Sequence, residues 1–305
     1  MKINIKKITF IMIIVNVIFF MLLNLNKKPV AIATLASDVA QREVYLNIMT
    51  TDRIIYNMAK DIAQDKHNVQ YMFKDKKECN DFKFTEDTLE NISNMDLFLY
   101  AGSGNEPWMN DFISKLKKGK VGIINTSRGI KILSYDTPKV VNNFEIKENP
   151  NFVLSPKEYK IMLYNLKSAI QDKDPKNREF YEKNYESAKN TLELNEEEVI
   201  KLKDDLKTVD LYTFSDDLDY LNNYLALNVT KIDTKIDDKG IKDINGKEQG
   251  KNGLLICYGE YDKALADKLN LKQLNLPAPY LFDNYQEYLK AIQKLFKENI
   301  TKSTT

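Results

Sequence analysis

Apolar positions recur along this chain in two alternating rhythms. From Val44 to Thr50 they take the every-second-residue spacing of a strand, and Ile54, Ile55, Met58, Ala59, Ile62 and Ala63 then repeat at helical spacing. Val69–Phe73 is predicted as a second strand, Thr85–Ile92 as a short helix capped by Thr85, and Leu97–Tyr100 and Val121–Ile124 as further strands. Strands separated by helices imply βαβ units and a parallel sheet.

Ser155-Pro156-Lys157-Glu158 has the form of a helix start: a capping serine, a proline suited to the first helical position, and a glutamate to complete the capping box. The helix continues through Tyr159, Met162, Leu163, Leu166 and Ile170 until Asp174-Pro175 breaks it. A second, longer helix follows over 176–207, about 45 Å at 1.5 Å per residue, long enough to run along two lobes. Beyond it Val209–Phe214, Asn228–Ile232 and Gly253–Tyr258 are predicted strands, with a helix near 217–225 and a last one through Tyr288, Leu289, Ile292, Leu295 and Phe296. Residues 233–252 are rich in Lys, Asp and Gly without periodicity and are expected as an exposed loop. The fold class is α/β: two lobes with parallel sheets, at 44–175 and 208–298, joined by the helix 176–207, with a short tail over 299–305.

The first residues change the cellular setting. Lys2, Lys6 and Lys7 precede a nearly unbroken apolar run from Ile8 to Leu25, closed by Lys27 and Lys28, a length that spans a bilayer. Residues 1–28 are expected as a signal-anchor and 29–43 as a spacer, giving a single-pass protein of the cell membrane, attached through residues 8–25, with its bulk extracytoplasmic. A cleaved signal with Ala31-Ile32-Ala33 as its small-residue site is the competing reading. No cysteine follows the apolar run to accept a lipid.

Charge and chemistry narrow the classes further. Setting aside the five lysines of residues 1–28 leaves 40 basic against 44 acidic side chains, a formal charge of −4, and no basic stripe with interleaved aromatics; nucleic acid is not an expected partner. No Gly-x-Ser-x-Gly word, phosphate loop or histidine-based metal motif occurs, so the chain is not expected to be an enzyme. His67, the single histidine, is expected at the surface in a turn, and Cys79 and Cys257 are expected to be unpaired.

The segment Leu97-Phe98-Leu99-Tyr100-Ala101-Gly102-Ser103-Gly104-Asn105-Glu106-Pro107-Trp108 resembles the strand and Gly-x-Gly-x-Glu-x-Trp turn of the zinc- and manganese-binding receptors of ABC transporters. Thr126-Ser127-Arg128-Gly129-Ile130, residues 149–156 and Lys173-Asp174-Pro175-Lys176-Asn177 are also similar to that family. The resemblance runs from about Val44 to Lys297 and implies two α/β lobes, a rigid linking helix and a ligand cleft between the lobes. It also implies a metal cage of about three histidines and a carboxylate, donors that suit Zn²⁺ and Mn²⁺. In this sequence the corresponding positions are Asn80, Asn151, Ser215 and, loosely, Leu276 before Pro277.

The expected cleft residues are therefore Asn80, Asn151 and Ser215, with Asp81 and Asp216 beside them, and no metal ligands or cofactor. Glu78, Cys79, Asp81, Asp216 and Asp217 are the side chains from which an unorthodox zinc or manganese site would have to be rebuilt. Trp108, Tyr100 and Phe152 are either cleft aromatics or core residues. The expected function is a solute-binding-protein-like component of a metal-type ABC transporter, partnered by a permease and by an unidentified solute or protein ligand. The alternatives are a tethered interaction domain with an idle cleft, supported by the loop expected at 233–252 where the family has a helix, and a metal receptor with unorthodox ligands.

Overall fold

Asp52 ends the first strand and starts the first helix: its side chain accepts from the Ile55 amide at 2.8 Å, capping the helix that buries Ile55, Met58, Ala59, Ile62 and Ala63. The computed structural model describes residues 43–117 and 119–300. The expected membrane segment at 8–25 and nearly all of the spacer lie outside the described residues. Among those described, no helix is long and apolar enough to cross a membrane.

In chain order the elements are β1 (Asn47–Asp52), α1 (Arg53–Ala63), β2 (Asn68–Phe73), α2 (Lys76–Asp81), α3 (Glu86–Ser93), β3 (Leu97–Tyr100), α4 (Met109–Lys115), β4 (Gly122–Asn125), β5 (Ser134–Val141), β6 (Phe144–Glu148), α5 (Pro156–Lys173), α6 (Arg178–Leu206), β7 (Leu211–Thr213), α7 (Asp219–Leu225), β8 (Val229–Lys231), α8 (Asp238–Lys247), β9 (Leu254–Tyr258), α9 (Lys263–Ala266), β10 (Lys272–Leu276) and α10 (Tyr285–Ile300). Two four-stranded sheets carry the structure, in the orders β2-β1-β3-β4 and β10-β9-β7-β8, with parallel pairing throughout. Ile48 sits opposite both Val69 and Leu97, so β1 is central and buried on both faces. From Tyr45 onward the two sheets belong to one compact unit.

Helix α6 runs for 29 residues, about 44 Å, and packs on α1, α5 and α10. Its Asn184 donates to the Ile62 carbonyl at 2.9 Å, while Glu196 accepts from Lys160 of α5 at 2.7 Å and from the Tyr224 hydroxyl of α7 at 2.6 Å. One buried carboxylate is thereby held by groups from both halves of the fold.

Four sequence expectations are corrected. Residues 233–252 contain a helix, α8, capped by Asp237 and anchored by Ile236, Ile241 and Ile244 on the second core. Gly240 and Gly246 conceal it by breaking the apolar rhythm, and the helix removes the support the expected loop lent to an idle-cleft domain. Ser155 stands at the cap position of α5, but its hydroxyl is buried without a hydrogen-bond partner, so no capping box forms. The hairpin β5–β6 was not among the predicted elements. Asn142 and Asn143 both have positive φ, the conformation of a two-residue type I′ turn, and Val-Val-Asn-Asn-Phe is its sequence signature.

The fourth correction is His67, which is 3% exposed. Its Nδ1 accepts from the Leu46 amide at 3.4 Å, which leaves the proton on Nε2, 2.6 Å from the Tyr181 hydroxyl; that hydroxyl in turn donates to Asp174 at 2.5 Å. The chain joins the start of β2 to α6 and works only with a neutral imidazole. Burial, opposed by Asp174, lowers the His67 pKa from its ordinary 6.5. A lowered folded-state value stabilises the fold above the unfolded value and the contribution is lost as pH falls below it. His67→Phe, which leaves the buried Leu46 amide without a partner and takes a donor from the Tyr181 hydroxyl, should cost about 1–3 kcal/mol at pH 7.5. Urea unfolding at pH 7.5 and pH 5 should show a larger acid loss for the wild type than for the variant; equal losses would exclude a titrating His67.

Candidate functional site

The turn after β3 is the most constrained stretch of backbone near the cleft. Gly102, Ser103 and Gly104 all have positive φ, and a Cβ on Gly102 would lie 2.7 Å from the Asn125 amide. Glu106 holds the turn from within: its carboxylate accepts from the Ala101 and Gly102 amides at 2.9 and 2.8 Å and from the Thr51 hydroxyl at 2.5 Å. Trp108 Nε1 donates to the Cys79 carbonyl at 2.9 Å and its ring packs edge-on against Phe73, Phe82 and Phe112. The Gly-x-Gly-x-Glu-x-Trp word is thus a device that fixes the cleft floor. Trp108 and Phe152 are buried and Tyr100 packs on the Trp108 cluster, so none of the three stacks in the cleft.

Across from this turn, Asp217 gathers the polar side chains. It follows Ser215, whose hydroxyl caps the 3₁₀ turn Asp216–Leu218. Asp217 accepts from Lys139 Nζ at 2.7 Å to both oxygens, from the Tyr135 hydroxyl at 2.7 Å, from Asn151 Nδ2 at 2.9 Å and from the Ser215 hydroxyl at 2.8 Å. The Lys139 ammonium also lies 4.4 Å over the Tyr135 ring. Burial raises the carboxyl pKa, but the Lys139 hydrogen bond and charge, with Tyr135 and Ser215, outweigh it and hold Asp217 below the usual carboxylate range.

Of the predicted site residues, the structure brings Asn151 and Ser215 together on this one carboxylate. Asn80 lies on the wall of the same cavity, about 310 Å³ in volume, with Lys139, Asn151, Asp217 and Tyr258. Its carbonyl, like the exposed Asp81 carboxylate, accepts from Asn142 at 2.9 Å, and Asp81 also pairs with Lys77. Asp216 points away: it accepts from the Asp136 amide at 2.9 Å and forms an ion pair with Lys231. Tyr135 and Lys139 were missed because the hairpin that delivers them was missed. Asp217 was recognised only as a fragment of a rebuilt metal site.

The described residues contain no group of three or more His, Cys, Asp or Glu side chains placed to hold a metal ion. Glu78 is paired with Lys74, Asp81 with Lys77, Asp216 with Lys231 and Asp217 with Lys139. Cys79 and Cys257 are free and buried, and burial pushes the Cys79 thiol up to about 12, away from the thiolate a metal needs.

The sequence profile described as "ZnuA: Zinc-uptake complex component A periplasmic" matches residues 48–247, about two thirds of the chain. The chain belongs to this family. Among individual relatives, the high-affinity zinc uptake system protein ZnuA of Bacillus subtilis is 27% identical over 145 residues, 46% of each chain. A metal ABC transporter substrate-binding lipoprotein of Lactococcus lactis is 26% identical over 144 residues, 46% of this chain and 45% of its own. The matches thus span about half the length of these ZnuA-family relatives. The crystal structure of the metal-dependent lipoprotein YcdH from Bacillus subtilis superposes with a TM-score of 0.66 at 19% identity, over 82% of this chain and 98% of that one, which supports the α/β architecture with its parallel sheets and long helix.

Asp217→Ala leaves Lys139, Tyr135, Asn151 and Ser215 without a shared acceptor and should destabilise by about 2–3 kcal/mol, below the cost of breaking a fully buried pair because Lys139 is part-exposed. A double-mutant cycle with Lys139→Met should return a coupling of about 1–2 kcal/mol by denaturant unfolding. Additive losses would show that the pair is incidental.

Proposed function

We propose that this ZnuA-family chain is an extracytoplasmic receptor component of an ABC transporter whose cleft carries its own cation in place of a metal dication. Residues 44–175 and 208–298 act as the two lobes, 176–207 as the link and 8–25 as the membrane anchor. The observation that carries the reading is the Lys139 ammonium on Asp217, bonded alongside Asn151 and Ser215, the two positions at which the sequence resemblance puts family histidines. A dication there would have to share the one carboxylate with that ammonium, and Asn151 and Ser215 offer no imidazole lone pair to complete a coordination shell. Lys139 and a metal therefore compete for one place.

Further hydrogen bonds link the two sides of this site. The Asp136 amide on Asp216, the Asn149 amide group on the Asp216 carbonyl at 2.6 Å and the Leu133 amide on the Tyr220 hydroxyl at 2.7 Å all run from the first half to the second. A metal receptor with unorthodox ligands is disfavoured because each of its carboxylates is already paired.

The test is thermal unfolding of the full chain in a neutral detergent, stripped by chelator and then supplied with zinc, manganese or iron(II). A ligand at a hundredfold over its Kd stabilises by about 2.7 kcal/mol, readily visible in Tm. No chelator-reversible shift is expected; a shift with any of the three would overturn the reading.

A further inference from the structure

A second cavity, about 380 Å³, adjoins the first and shares Lys76, Asn151 and Tyr258 with it. Its floor comes from the first sheet's connections, with Asp52, Lys76 and Glu106. Its opposite wall comes from the second half, with Tyr258, Pro277, Pro279 and Tyr280. The volume falls in the range of small-molecule sites, and the pairing of an apolar wall with a few fixed polar groups is their usual composition.

The charges on the floor are not matched to one another. Glu106 is committed to the Ala101 and Gly102 amides and the Thr51 hydroxyl. Lys76 Nζ donates to the Asn105 carbonyl at 2.6 Å and to its side-chain oxygen at 3.3 Å, not to a carboxylate. Asp52 accepts from the Ile55 amide, and among the described residues neither it, Lys76 nor Glu106 forms an ion pair. Of the charged side chains lining the cavity, Lys74 is spent on Glu78 and Asp75 caps α2, and Lys76 alone cannot offset both Asp52 and Glu106, so the lining carries an excess of negative charge. Burial, reinforced by the Glu106 charge, raises Asp52 to about 6 against the opposing Ile55 hydrogen bond and Lys76 charge; it is ionised at neutral pH but under-stabilised.

We propose that this chamber binds a small organic monocation, a primary ammonium on an apolar or aromatic body, with Asp52 as its counter-charge and Tyr258, Pro277 and Tyr280 as its apolar wall. The inference rests on the non-metal reading above and names the ligand class for it. A monocation lowers that negative excess beside Asp52. A zwitterion of the same body leaves the negative charge unbalanced, and an anion adds to it. An inorganic ion leaves the apolar wall uncovered.

The experiment is isothermal titration of the full chain in neutral detergent with phenethylammonium, L-phenylalanine and 3-phenylpropionate, three probes that share a phenyl body and differ in charge. Phenethylammonium is expected to bind at least tenfold more tightly than either of the others. Asp52→Asn, which keeps a competent helix cap while removing the charge, should weaken it at least tenfold. Pro277→Ala and Tyr280→Ala should weaken all three probes without altering their order. The proposal is overturned if phenethylammonium does not bind, if 3-phenylpropionate binds as tightly, or if Asp52→Asn leaves the affinity unchanged. Should Asp52→Asn fail to fold, the order of the three probes on the wild type decides alone. Absence of phenethylammonium binding with no metal shift sinks only this assignment; a metal shift sinks the non-metal reading beneath it.

Discussion

A carboxylate taken away from water needs donors for its lone pairs and a cation for its charge, and Asp217 receives both from three separate stretches of chain. Lys139 and Tyr135 arrive on β5, Asn151 on the turn after β6, and Ser215 from the end of β7. Because Lys139, Tyr135 and Asn151 come from the first half of the fold and Asp217 from the second, this one group governs how the two halves meet. The Asn142-Asn143 turn has to reverse tightly for β5 to present Lys139, and Asn149 has to be buried to bond the Asp216 carbonyl. The neighbouring Asp216, turned toward Lys231, shows that adjacent acids on a short turn serve different faces.

The sheet-and-helix frame was legible in the sequence because it depends on periodicity. Leu97–Tyr100 matches β3 to the residue, and the helix expected over 176–207 is observed at Arg178–Leu206. What was not legible depends on partners far away in the chain. His67 stands in a turn of polar residues, and only the approach of Tyr181, 114 positions later, makes it a buried link. Ser155 has the local form of a cap, yet burial turns its hydroxyl away from that task. The site divides the same way. Asn151 and Ser215 were found through their correspondence to family ligand positions, whereas Lys139 has no such correspondence and its strand carries few apolar residues to announce it. The one available signal was the Asn-Asn pair between Val141 and Phe144.

The two adjoining cavities treat charge differently. Around Asp217 the chain supplies its own ammonium, and the hydrogen bonds that hold it also link the two halves. Around Asp52 the nearest ammonium, Lys76, is engaged with Asn105, and Glu106 is engaged with backbone amides. The second arrangement follows from the Gly-x-Gly-x-Glu-x-Trp turn: it needs Glu106 buried to satisfy its amides, and that fixed negative charge bears on Asp52 beside it. Lys76 offsets part of this charge, and Asp52 cannot be moved away because α1 begins on it.

The electrostatic demand of the cleft is therefore set by parts whose first duty is structural. A receptor of this architecture with histidines at its ligand positions would meet that demand with a dication. In this chain the second-half acid Asp217 has an internal ammonium, whereas the first-half acid Asp52 has a backbone amide but no ion-pair partner among the described residues. Any ligand that enters the larger cavity has to answer to Asp52 on one side and to an apolar proline and tyrosine wall on the other, a combination that a hydrated metal ion meets poorly and an organic cation meets with its two ends.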